Sequence, residues 1–127
     1  MADPLYHVFK GGPVMVAPYS HAVQVDDWLF VTGQMPIESD GTIPPSIEAQ
    51  TALVFRNLRG VMAAAGFAAG HIVSARVYLV HFDAHYARMN AAYAREFPDG
   101  RFPARTCIGV TGLARGCDVE VDLVVRR

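Results

Sequence analysis

Apolar positions alternate with polar ones along several short stretches of this chain and recur at helical intervals along two longer ones. Residues 22–25 (AVQV) and 28–32 (WLFVT) are β-branched and aromatic runs separated by Asp26-Asp27. They predict two strands joined by a two-residue hairpin turn. Residues 36–45 (PIESDGTIPP) read as loop, with Asp40-Gly41 as a turn and Pro44-Pro45 as a stop. Ser46 then reads as a helix N-cap, with Glu48 favourable in the first turn. Ile47, Val54, Leu58, Val61 and Ala65 follow at helical spacing, Arg56, Asn57 and Arg59 fall on other faces, and Gly66 supplies the stop.

Residues 72–80 (IVSARVYLV) predict a strand with Val73, Ala75, Val77 and Leu79 on one face and Ser74, Arg76 and Tyr78 on the other. Asp83 reads as the cap of a second helix. Its stripe is Tyr86, Met89, Asn90, Tyr93 and Phe97, and it stops at Pro98-Asp99-Gly100. Two further strands, 104–110 and 118–125, are joined through Gly112 and Gly116. The order β-β-α-β-α-β-β predicts one α+β domain over residues 1–127, a mixed sheet with both helices on one face.

Strand alternation assigns faces to the last two strands. Thr106, Ile108 and Val110 are expected under the helices, together with Val119, Val121, Leu123 and Val125. Arg105, Cys107 and Gly109, and Glu120, Asp122 and Val124, are then expected on the uncovered side. That side is either half-solvated or, since Tyr78 and Val124 add apolar surface to it, buried against another subunit.

Composition narrows the function classes. The 127 residues are 52% hydrophobic and 18% charged, which excludes intrinsic disorder. Eleven basic and twelve acidic residues leave a net charge of −1, without the positive excess of a nucleic-acid or polybasic membrane binder. Residues 1–12 do not form a signal peptide, and no apolar stretch reaches a membrane span, so a cytoplasmic location is expected. Cys107 and Cys117 are then expected to be thiols. The five histidines show no CxxC or HExxH spacing, so no metal site is expected.

A set of segments in fixed order carries a resemblance. It comprises Pro18-Tyr19-Ser20, residues 30–36 (FVTGQMP), the helix from Gln50 to Gly66, Ile72-Val73 to Val80, Asn90-Ala91-Ala92-Tyr93, Phe97, residues 102–107 (FPARTC) and Val119-Glu120-Val121-Asp122. With these the chain resembles the RidA (YjgF) family of reactive intermediate/imine deaminases. The resemblance implies a chorismate-mutase-like fold, a homotrimer whose sheets form a shared barrel, and active sites between subunits. It implies hydrolysis of 2-imino and enamine acids (2-aminoacrylate, 2-iminopropanoate, 2-iminobutanoate) to the 2-keto acid and ammonia, with no cofactor or metal.

Residue by residue, the resemblance makes Arg105 the carboxylate anchor, a task to which its planar fork is suited. Glu120 becomes the acid that positions the hydrolytic water, and Cys107 contributes its backbone. Thr32 and Gly33 line the cleft, Tyr19 covers it, and Asn90 serves it or braces the neighbouring loop. The expected partners are a small imino or keto acid and two further copies of the chain, with no nucleic acid and no membrane. The alternative is a non-catalytic trimeric module that binds small carboxylates such as 2-keto acids. An endoribonuclease, a description also attached to the family, is disfavoured by the acidic net charge and the lack of a basic stripe.

Overall fold

The structure, a computed structural model, describes residues 3–127. Six strands form one sheet: β1 (Leu5–His7), β2 (Ala22–Val25), β3 (Trp28–Gln34), β4 (His71–Leu79), β5 (Ala104–Gly109) and β6 (Val119–Arg126). Helix α1 (Ile47–Ala64) precedes β4, and α2 (Phe82–Arg95) joins β4 to β5. The strand order is β1-β2-β3-β6-β4-β5. Among the described residues only β4 and β5 run parallel, as a helical crossover between them requires. β1 and a 3-10 turn, Ala114–Gly116, are additions to the elements expected from sequence. β1 is a three-residue edge strand, too short to show alternation.

Local chemistry explains the element ends. Asp26 adopts a positive φ of 51° in the two-residue connection that pairs Val25 with Trp28. Ser46 caps α1, its hydroxyl accepting from the Ala49 N–H at 3.1 Å. Helix α2 departs from expectation. His81, in the left-handed conformation, turns the chain out of β4, so the helix starts at Phe82. Asp83 is therefore a first-turn acid facing the helix dipole instead of a cap.

The core lies between the helices and one sheet face. Phe55, Leu58 and Val61 of α1 and Met89 and Tyr93 of α2 pack on Leu29, Val31, Val77, Leu79, Val121 and Leu123. Burying each large apolar side chain contributes about 1.5–3 kcal/mol. The expected α1 face proves too narrow, since Leu53, Phe55 and Met62 are buried as well.

Two irregularities re-aim strand residues. Ile72 pairs with Val125 but Ser74 with Val124, so Val73 is an extra residue in β4. This bulge turns Val73 outward, where it is exposed, against the face expected for it. In β3, Val31 pairs with Leu123 and Gln34 with Val121, which places Thr32-Gly33 in a second bulge opposite β6.

The face assignment of β5 is also corrected. In its parallel register Cys107 pairs with Val77 and Ile108 with Tyr78. Cys107 therefore packs against the core on the helix side, and Arg105, beside Ala75, shares that side. Ile108 and Thr106 lie on the open face, both exposed. Alternation within β5 alone could not fix this, because the neighbouring strand sets which face is which.

Candidate active site

Arg105 stands on β5, at one edge of the sheet, facing α2. The stripe of α2 surrounds it. Its guanidinium carbon lies 4.8 Å from the centroid of the Tyr93 ring, a cation–π arrangement. Its Nη1 donates to Asn90 Oδ1 at 2.8 Å, and Nη2 reaches the Tyr86 hydroxyl at 3.5 Å. Among the described residues no carboxylate lies within 4.0 Å of Arg105. The guanidinium is thus aimed by neutral partners and its charge is not cancelled. Beside it a recess of about 260 Å³ is lined by Asn90, Tyr93, Ala94, Phe102, Pro103 and Arg105. The buried Tyr93 hydroxyl has no hydrogen-bond partner among the described residues. Larger recesses of about 330 and 390 Å³ contain neither Arg105 nor Glu120.

Glu120 stands on the central strand β6, on the face opposite the helices, where its register partner is Tyr78. Its carboxylate packs directly against Gly33. A Cβ built on that glycine would collide with Glu120 Oε2 and lie 3.0 Å from its Cδ. The β3 bulge and the lack of a side chain at Gly33 together make room for the acid. Burial, and secondarily the charge of Asp122, raise the Glu120 carboxyl above the ordinary carboxylate range. No cation pairs with Glu120 among the described residues.

The remaining residues singled out from sequence divide between these two centres and the loop above them. Thr32 and Gly33 sit with Glu120, and the Thr32 hydroxyl donates to the Ser20 carbonyl at 2.5 Å. Asn90 sits with Arg105. The Tyr19 hydroxyl accepts from the Val16 N–H at 3.1 Å, so in the isolated chain this tyrosine braces its own loop. The half-buried Cys107 thiol is pushed up by burial, an effect the Arg105 charge opposes without overcoming. A thiol held protonated is a poor nucleophile. Burial, then the Glu120 charge, pushes Cys117 up to about 11.

Arg105 and Glu120 do not meet within one chain. Along the ladder Arg105 is level with Ala75 and Leu123, two strands across from β6 and three residues from Glu120. Strand geometry puts their Cα atoms about 14 Å apart, and their side chains on opposite faces. The expectation that both lie on the uncovered side is therefore corrected for Arg105, as it is for Cys107. Tyr86 and Tyr93 around Arg105, and Arg76, Tyr78 and Asp122 beside Glu120, carry no site role in the sequence pattern. The aromatic stripe of α2 was the available signal for the first pair.

Among the described residues no group of three or more His, Cys, Asp or Glu side chains is placed to hold a metal ion. Among the described residues no helix is long and apolar enough to cross a membrane.

Comparison with known proteins gives a consistent family signal. Residues 10–127 match the family described as Endoribonuclease L-PSP. The protein DfrA of Myxococcus xanthus is 36% identical over 116 residues, spanning 88% of this chain and 87% of that protein. Among solved structures, the YjgF gene product of E. coli superposes with a TM-score of 0.88 at 25% identity, over 97% of this chain and 98% of the other. The E. coli protein TdcF, solved with bound serine, gives a TM-score of 0.87 at 25% identity, over 95% and 98%.

Proposed function

The chain belongs to the YjgF/RidA family, the family described as Endoribonuclease L-PSP, and from that premise we propose that it is a hydrolytic deaminase of 2-imino acids and their enamine tautomers. The observation that carries the reading is the pair of uncompensated charges. An arginine aimed by neutral groups is suited to grip an anion, and a half-buried acid with a raised pKa is suited to move a proton. The serine bound to TdcF is itself an amino acid with a carboxylate to grip.

The two charges belong to one cleft only if the Arg105 edge of one copy meets the open face of another. The open face favours such a contact, since Phe30 and Ile108 are exposed on it in the single chain, with Val23, Tyr78 and Val124 beside them. A homotrimer of 13.8 kDa chains closes this arrangement as a ring.

In that cleft Arg105 binds the substrate carboxylate through two parallel hydrogen bonds and fixes the plane of the adjoining C=N carbon. Water attacks that carbon while Glu120 takes its proton. Glu120 passes that proton to the imine nitrogen to give the carbinolamine. It then takes the carbinolamine hydroxyl proton as the C=O bond forms and hands it to the nitrogen as the C–N bond breaks, so that ammonia leaves with the 2-keto acid as product. Each imine consumes one water, and Glu120 ends as it began. The Cys107 thiol takes no part. Orientation of the imine against the water supplies most of the acceleration.

The test generates 2-iminopropanoate or 2-iminobutanoate by in situ oxidation of the amino acid. Imine decay is followed by semicarbazide trapping, and ammonia is measured directly. Faster decay with stoichiometric ammonia is expected. Pyruvate or 2-oxobutanoate binding without any acceleration would instead support a non-catalytic carboxylate-binding module.

A further inference from the structure

The open face carries a polar cluster beside Glu120 that the proposed reaction does not use. Asp122 follows Glu120 by two residues on β6 and so shares its face. Arg76 Nε, on β4, donates to both Asp122 oxygens, at 2.9 and 3.1 Å. The Tyr78 hydroxyl donates to Asp122 Oδ2 at 3.1 Å. Arg76 is the register partner of Asp122, and Tyr78 that of Glu120. The tyrosine therefore stands opposite one acid while its hydroxyl is bound to the other.

A staple between β4 and β6 needs only the arginine. Here two donors fix the carboxylate, the single Nε–H of Arg76 shared between both oxygens and the Tyr78 hydroxyl on one of them. The side chain of Asp122 is only 15% exposed although that of Arg76 is 65% exposed. A charge held at a fixed position next to a reacting acid does more than join strands. It biases that acid between its two protonation states.

We propose that Asp122, clamped by Arg76 and Tyr78, is a positioning residue whose fixed negative charge governs how readily Glu120 takes a proton from water. This rests on the reading of Glu120 as the acid/base of the site. The other groups around Glu120 leave the clamp in control. Gly33 on β3 and Ile108 on β5 carry no charge, and the Cys117 thiol is protonated at neutral pH. Asp118 accepts from the Gln50 amide of α1 at 3.4 Å, on the helix side. Tyr78 is held protonated by burial and by the Asp122 charge. Asp122 therefore supplies the negative charge that acts on Glu120, and the Arg76 guanidinium is the cation bound to that same carboxylate.

The two members of this ion pair should act on Glu120 with opposite sign, which a purely structural pair cannot do. The experiment titrates the Glu120 side-chain carboxyl by carbon-13 NMR in the full-length protein, with the resonance assigned by its absence in Glu120→Gln. Asp122→Asn is expected to lower the Glu120 midpoint by about half to one pH unit, because a like charge is removed. Arg76→Gln is expected to raise it, and Arg76→Lys, which keeps the charge, to leave it within about 0.2 unit of the parent. The acid limb of kcat/KM should move with each midpoint. If both Asp122→Asn and Arg76→Gln lower thermal stability while the midpoint stays put, or moves the same way in both, the pair is a strand staple and the proposal is overturned. Midpoints that shift as expected while the acid limb of kcat/KM does not would uphold the clamp and reject Glu120 as the acid/base.

Discussion

Arg105 and Glu120 are both charged, both half-buried and both without a counter-ion among the described residues, yet their surroundings are opposites. Arg105 is at the sheet edge, on the helix side, held by an aromatic face and an amide oxygen. These neighbours favour a cation and orient it without satisfying it. Glu120 is at the sheet centre, on the open side, with a second acid two residues away and a glycine beneath it. Its neighbours disfavour an anion and weaken its hold on the charge. One site is built to attract an anion and the other to accept a proton. A single chain keeps them on separate faces, so neither can quench the other as an internal salt bridge.

The largest effect should come from disturbing the first environment. Arg105→Lys keeps the charge but loses the fork that fixes the substrate plane. It is expected to lower kcat/KM for 2-iminobutanoate by about 10³-fold, nearly as much as Arg105→Ala, since losing one partner of a desolvated charge pair costs roughly 2–5 kcal/mol. A well-folded Arg105→Lys protein with full activity would reduce the anchor to a generic positive charge.

Glu120→Gln tests the second environment, and should cost on the order of 10²-fold in kcat. It also carries a stability signature of definite sign. A carboxyl whose folded-state pKa is raised lends stability below its unfolded pKa and loses it as pH rises through the folded value. Glu120→Gln should therefore melt about 2 °C above the parent at pH 7, and the gap should close near pH 4. A gap that widens on acidification would contradict the desolvated setting of Glu120.

Gly33→Ala sharpens the comparison at the contact between the bulge and the acid. The added methyl must displace the Glu120 carboxylate. A loss of about tenfold in kcat is expected with KM nearly unchanged, because the anchor is untouched. A rise in KM alone would place Gly33 with the anchor instead. The smallest effect belongs to the thiols. Cys107→Ser should retain activity within about threefold, since burial keeps the thiol protonated. Near-complete inactivation of a folded Cys107→Ser protein would make the thiol a reacting group.

Much of the fold could be read from the chain alone, and the reason is local. Ser46 as a cap, Gly66 as a stop, the Asp26-Asp27 turn and the apolar stripe of α1 each depend on residues within one or two turns of one another. The alternation of Val119, Val121, Leu123 and Val125 is regular, and all four are buried. The identities of Arg105 and Glu120 could be singled out for the same reason, each being an unusual charge inside a short ordered motif.

What the tertiary structure decided is where those charges point. The faces of β5 follow from its parallel register with β4, a pairing between segments about thirty residues apart. Alternation within the strand is compatible with either choice, and the choice made by pairing turned Arg105 and Cys107 toward α2 and Ile108 outward. The bulge that carries Gly33 to Glu120 arises between β3 and β6, nearly ninety residues apart, and the clamp on Asp122 needs two side chains from β4. Sequence determines which residues carry charge and which segments fold into strands and helices, because those depend on neighbours along the chain. Which charge faces which is settled by strand pairing, whose long-range register no local pattern encodes.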